Sequence, residues 1–181
     1  MSSQRIGKYA CLELERRYLL RELPAELKGR ECSWQIVDRY LSDTRLRLRR
    51  MTSPSKGTII LKLTQKYREA GQEATETTIT NMYLNEAEYS GLNRLPGTEI
   101  IKKRYGYRQQ GHLYSIDIFE GPLQGLILAE IEAETATELA AQPFPSFALM
   151  EVTADPFFSG GALATMSEEE FREGLIKRLR S

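Results

Sequence analysis

Charges of one sign recur at every second position along successive segments of this chain, and few folds can accommodate that. In "CLELERRYLL" (11–20), Glu13, Glu15 and Arg17 share one face of an extended strand, while Leu12, Leu14, Arg16 and Tyr18 share the other. "TRLRLRR" sets Arg45, Arg47 and Arg49 against Leu46 and Leu48, and "LKLTQK" sets Lys62, Thr64 and Lys66 against Leu61 and Leu63. "IKKRY" aligns Lys102 with Arg104, "SIDIF" aligns Ser115 with Asp117, and "LAEIEAE" aligns Glu130, Glu132 and Glu134 opposite Ile131. A half-solvated antiparallel sheet accounts for any one of these strands, with leucines inward and charges in water. It accounts poorly for the set, because some faces are purely basic and others purely acidic, and like charges two residues apart repel unless opposite charges stand between them. Closing the sheet into a barrel of about eight strands, whose lumen holds side chains or one small ligand, turns a basic wall toward an acidic one. The leucine faces are then covered by helices or by a partner subunit, so a homodimer is one expectation.

The rest of the chain agrees with a mainly β domain spanning 1–181. Turn signals such as "SPSKG", "PG", "QQG" and "EGP" separate segments predicted as strands near 10–20, 33–41, 44–51, 58–66, 74–83, 99–108, 112–119 and 126–133, with another near 148–153. Pro24 can open a helical turn that Gly29 ends, and Asn85 with Glu88 and Thr135 with Glu138 form capping boxes. A terminal helix over about 167–180 has Ser167 and Glu170 as its capping box and Phe171, Leu175 and Leu179 as its apolar stripe. It is either a packed terminal helix or a lid over one mouth of the barrel.

Lys plus Arg and Asp plus Glu both number 25, so no global charge directs the chain to nucleic acid or to an anionic membrane. The basic residues lack the interleaved aromatics of single-strand-binding barrels. "MSSQRIGKYA" has no apolar core, and no apolar run approaches the roughly 20 residues of a membrane helix, so a soluble cytoplasmic protein is expected. Cys11 and Cys32 are too widely spaced for a CxxC motif and read as reduced. The single histidine, His112, reads as a loop side chain, which leaves oxygen ligands for any metal. A lumen with a cationic and an anionic wall suits a metal-bound polyphosphate: guanidinium and ammonium groups take phosphate oxygens, and carboxylates take hard divalent cations.

At these residues the chain resembles the CYTH family, the triphosphate tunnel metalloenzymes, whose signature ExExK strand reads here Glu13, Glu15, Arg17. The resemblance continues in order through Tyr40 and Leu41, "RLR" at 47–49, "TQK" ending at Lys66, "KKRY" at 102–105, "IDIFEG" at 116–121, "EIE" at 130–132 and "EVTAD" at 151–155. It implies an eight-stranded antiparallel β tunnel acting on a triphosphate-containing small molecule with Mg²⁺ or Mn²⁺. Inorganic triphosphate hydrolysis is the first expectation, and a class IV adenylyl cyclase or a non-catalytic polyphosphate-binding module are the alternatives. By resemblance and charge together, Glu13, Glu15, Glu130 and Glu132 are the metal ligands, and Arg17, Arg47, Arg49, Lys66, Lys102 and Arg104 hold phosphate. Arg17, Lys102 and Asp117 are the catalytic candidates, while Lys62 and Arg45 read equally well as outer rim positions. Three departures stand out. Arg17 replaces the signature lysine and cannot act as a base; the acidic fifth strand reads "TETTIT" (Glu76, Thr78, Thr80); and Phe158 and Gly160 replace the family's Tyr and Asn after "EVT".

Overall fold

The computed structural model describes residues 8–69 and 71–180; the stretch 1–7, part of the N-terminal segment read above, lies outside them. Eight strands close on themselves: β1 (Cys11–Leu19), β2 (Trp34–Leu41), β3 (Leu46–Thr52), β4 (Ile59–Tyr67), β5 (Glu76–Tyr83), β6 (Gly97–Gln109), β7 (His112–Phe119) and β8 (Ile127–Ala133). Their order is β5-β4-β3-β2-β6-β7-β8-β1, and β1 returns to β5, so every neighbour is antiparallel and the edges are abolished. The first half of β1 pairs with β5 (Glu13 opposite Thr77). Beyond Leu14 that edge is taken over by a two-residue strand, β9 (Met150–Glu151), which pairs with Tyr18 and Leu19.

Local chemistry sets several of these elements. Gln110 and Gly111, both at positive φ, form the two-residue turn between Gln109 and His112, a geometry whose twist matches the flanking strands. His112 therefore opens β7 and is not a loop residue. Both internal capping boxes form, Asn85 with Glu88 on α1 (Glu86–Leu92) and Thr135 with Glu138 on α2 (Ala136–Ala141). Ser167 and Glu170 likewise bond reciprocally at the start of α4 (Glu168–Arg180). One helix has no signal in the sequence: α3 (Gly160–Thr165) begins with two glycines and is capped by Ser159, whose hydroxyl accepts from the Ala162 N–H.

The leucine faces point outward and are largely covered within the chain, although Leu12 stays 45% exposed. The outer face of β1, β7 and β8 (Leu14, Tyr18, Tyr114, Ile116, Ala129, Ile131) packs under Leu139 of α2 and under Phe147, which meets Tyr114 edge-on at 5.0 Å. Leu41, Leu48 and Leu63 pack under Tyr89 and Leu92 of α1. A third cluster lies at one end of the barrel, where the lumen-facing Leu19, Ile100, Phe119 and Leu128 meet Phe158, Leu163 of α3 and Phe171 of α4. On α4 the predicted stripe holds at Phe171 and Leu175, but Leu179 is 49% exposed. No helix among the described residues is long and apolar enough to cross a membrane.

Candidate active site

Because side chains alternate across each strand, the charged faces of β1, β3, β4, β6 and β8 turn into the lumen of the barrel, a cavity of about 640 Å³. It is lined by nine cations (Arg17, Arg45, Arg47, Arg49, Lys62, Lys66, Arg68, Lys102, Arg104) and five carboxylates (Glu13, Glu15, Asp38, Glu130, Glu132). The side chain of Asp117 is covered by Arg104 and Lys102 and is 2% exposed. On β5 the lumen receives Thr77, Ile79 and Asn81, so Glu76, Thr78 and Thr80 stand on the opposite face and the fifth strand brings no acid to the cavity. Lys62 lies inside the lumen, whereas Arg45 is an exposed rim residue lying over the Tyr67 ring at 4.5 Å.

The two walls neutralise each other through one connected network. Glu15 and Glu132 are directly opposite on β1 and β8, as are Arg17 and Glu130. Arg17 donates to Glu15 at 2.7 Å, to Glu130 at 3.1 Å and to the Phe158 carbonyl at 3.0 Å. Arg104 grips Asp117 with two bonds of 2.7 Å and reaches Glu130 at 2.9 Å, while Lys102 binds Asp117 at 2.6 Å. Lys66 is paired with Glu13 and, at 3.2 Å, with Glu15. Asp38 accepts two bonds from Arg49 at 2.5 and 2.6 Å and is also 3.6 Å from Arg47 and 3.9 Å from Lys102.

Titration follows from this arrangement. Burial opposes the carboxylate of Asp38, but Arg49, Arg47 and Lys102 overcome it and hold its pKa far below the ordinary range. Glu130 is likewise held well below the usual value against burial, by Arg17 and Arg104. Glu132 moves the other way: burial together with Glu13, Glu130 and Glu15 pushes its pKa up. Burial pushes Lys102 and Lys62 down, with Arg49 and Arg47 adding to the effect at Lys62. Burial also opposes the charge of Lys66, but Glu15 and Glu13 outweigh it and raise that pKa.

Not every lining charge is fully engaged by this network. Glu132 and Lys62 make no ion pair among the described residues, and Arg47 Nε is buried without a hydrogen-bond partner. A buried polar atom such as Arg47 Nε gives up hydration without a hydrogen bond in return unless a ligand completes it. All four glutamates expected as metal ligands face the lumen on β1 and β8, yet three of them are occupied by cations, and no metal-binding group of three acids, histidines or cysteines is assembled among the described residues. The sequence reading missed Asp38. Its signal was the alternation Ile36, Asp38, Tyr40 in "QIVDRYL", obscured by the adjacent Arg39.

The end of the cavity at Phe158, Gly160 and Leu163 is closed by the turn before α3 and by α3 itself. No α4 residue lines the cavity, so the terminal helix packs behind this plug instead of acting as the lid itself. Gly160 is required sterically: a Cβ there would overlap the Tyr40 hydroxyl.

No family model and no curated protein matches the chain. Solved structures do. The inorganic triphosphatase NE1496 superposes with a TM-score of 0.56 at 24% identity, over 85% of this chain and 95% of its own. This chain has the triphosphate tunnel fold. A second structure of NE1496 gives a TM-score of 0.57 over 86% of this chain and 99% of that one, again at 24% identity. PH1819 from Pyrococcus horikoshii aligns at 20% identity over 71% of this chain and 82% of its own, with a TM-score of 0.47. Within this fold, the strand that carries Glu13, Glu15 and Arg17 forms one wall of the tunnel.

Proposed function

We propose that this chain is a divalent-metal-dependent triphosphatase that hydrolyses inorganic triphosphate to pyrophosphate and phosphate inside the tunnel. The observation that carries this reading is the surplus of nine lining cations over five carboxylates in the cavity, with Lys62 forming no ion pair among the described residues and Arg47 Nε left without a hydrogen bond. A linear chain of phosphates supplies acceptor oxygens for such a surplus without needing a shaped apolar pocket. That NE1496 is an inorganic triphosphatase with the same fold supports the choice of substrate.

Arg17, Arg47, Arg49, Lys66, Lys102 and Arg104 bind the phosphate oxygens and neutralise charge as the terminal P–O bond breaks. Binding therefore exchanges partners, because each of these cations except Arg47 now rests directly on a carboxylate. The donor set of Glu13, Glu15, Glu130 and Glu132 is all oxygen, the kind Mg²⁺ or Mn²⁺ takes once the cations on three of them turn to phosphate, and a cation there would offset the carboxylates that add to burial in raising the Glu132 pKa. Such an ion would supply charge neutralisation at the phosphates and activation of the attacking water. Lys102, paired with Asp117 at 2.6 Å, would act there as a buried cation, its ammonium turned to the charge that develops on the transferring phosphate. Asp117, held beneath Arg104 and Lys102, positions both of them and is not available to touch substrate.

The test is phosphate release from inorganic triphosphate, ATP and thiamine triphosphate with Mg²⁺, with Mn²⁺ and with EDTA. Metal-dependent release that is fastest on inorganic triphosphate and lost in folded Glu13→Gln supports the proposal. Cyclic AMP formed from ATP would replace it with a cyclase, and tight triphosphate binding without turnover would replace it with a binding module.

A further inference from the structure

The proposed hydrolysis gives no role to "EVTAD" (151–155) or to α4, yet both converge on Arg17. The Val152 N–H donates to the Arg17 carbonyl at 2.8 Å, and the Arg17 N–H donates to Thr153 Oγ1 at 2.9 Å. One guanidinium nitrogen of Arg17 donates to the Phe158 carbonyl. Backbone and side chain of this residue are thus held by one segment, 152–158. The carbonyl differs from the other partners of Arg17. Glu15 and Glu130 compete with phosphate for the guanidinium, whereas the uncharged carbonyl can keep one edge of the group fixed while the other edge changes partner.

The turn that presents this carbonyl is fastened from behind by α4. Asp155 accepts from the Phe157 N–H at 3.0 Å and from Arg178 through both oxygens, at 2.5 Å from Nε and 3.1 Å from the second nitrogen. The Arg178 guanidinium also lies 4.0 Å from the Phe157 ring centre, and Phe157 stacks on Phe171 with ring centres 6.2 Å apart. At Gly174 a side chain would overlap the Phe157 ring, so the helix lies directly against the turn.

We infer that Arg178, through Asp155 and the Phe158 carbonyl, is a positioning residue that orients Arg17 for triphosphate binding. The inference rests on the function proposed for the tunnel. Its test is a double-mutant cycle of Arg178→Ala and Arg17→Lys, read by calorimetric titration with inorganic triphosphate in EDTA and by KM and kcat in Mg²⁺. Arg178→Ala should weaken binding and raise KM about tenfold, the scale of one charge-assisted hydrogen bond, with kcat changed much less. Lysine at 17 cannot keep the fork that the carbonyl orients, so in the Arg17→Lys background the same change should have an effect of less than about twofold. A lower melting temperature with unchanged binding, or an equal effect in both backgrounds, overturns the inference. Should Arg178→Ala fail to fold, Asp155→Asn keeps an acceptor for the Phe157 N–H while weakening the Arg178 pair, and must give the same pattern. Triphosphate binding by a wild type that does not hydrolyse it removes the hydrolase reading and leaves this inference decided by the titrations. A wild type that does neither overturns both.

Discussion

Neutralising Asp38 should separate the two jobs of the tunnel, standing when empty and binding an anion when charged. Asp38 is 1% exposed and its carboxylate takes both bonds from Arg49, itself 6% exposed, with Arg47 and Lys102 close by. Asp38→Asn keeps the volume and one acceptor oxygen but leaves Arg49 and Arg47 with no carboxylate, while Lys102 retains Asp117. Breaking one side of a buried pair costs about 3–5 kcal/mol, and the retained oxygen places this case near the low end. At about 2–4 °C per kcal/mol for a chain of this length, melting should fall by roughly 6–12 °C. The stranded cations should then favour an anion, so saturating inorganic triphosphate should raise the melting temperature of the variant by more than it raises that of the wild type. Acid gives a second readout. The folded pKa of Asp38 lies below its ordinary 3.8, so its contribution is present above that value and is lost as pH falls toward the folded one. The wild type should therefore show an acid limb below about pH 4 that the variant partly lacks. A stability loss under about 1 kcal/mol, or equal triphosphate increments in both proteins, would refute this account of the pair.

Glu132→Gln removes a like charge opposite Glu15 and should stabilise the metal-free protein by about 0.5 kcal/mol at neutral pH, discounted for its exposure. Because its folded pKa is raised, the wild-type penalty is absent below the ordinary 4.5 and grows as pH rises through the folded value; urea denaturation in EDTA at pH 4 and pH 7 checks it, and Mg²⁺ titration should show weaker binding. Lys102→Met should lower kcat a hundredfold or more, on the scale of a lost charge contact to the transition state, while melting shifts little because Arg104 still holds both oxygens of Asp117. Steady-state kinetics beside a thermal melt decides between that and a purely structural lysine. Gly160→Ala should cost about 1–3 kcal/mol by driving the Tyr40 ring out of place, which a thermal melt will show, with weaker triphosphate binding as the second consequence.

The two-residue alternation was enough to name the strands and to say which side chains share a face, because the pleat fixes that periodicity locally. From it came the closed barrel, the charged lumen, and the positions of Glu13, Glu15, Arg17, Arg47, Arg49, Lys66, Lys102, Arg104, Glu130 and Glu132 within it. Capping boxes were equally legible, since both partners lie within one turn. The face of β5 was not: "TETTIT" alternates threonines on both sides, and only pairing with β1 and β4 turned Thr77, Ile79 and Asn81 inward. Nor was α3, whose glycines carry no helical signal and whose Gly160 is needed because Tyr40 stands against it. Which cation meets which acid was also hidden, since Asp38 meets Arg49 across β2 and β3 while Arg104 meets Glu130 across β6 and β8. Alternation is a property of one strand and can be read along it. Partnership across the lumen depends on register and closure, which arise only when all eight strands are hydrogen-bonded into one barrel.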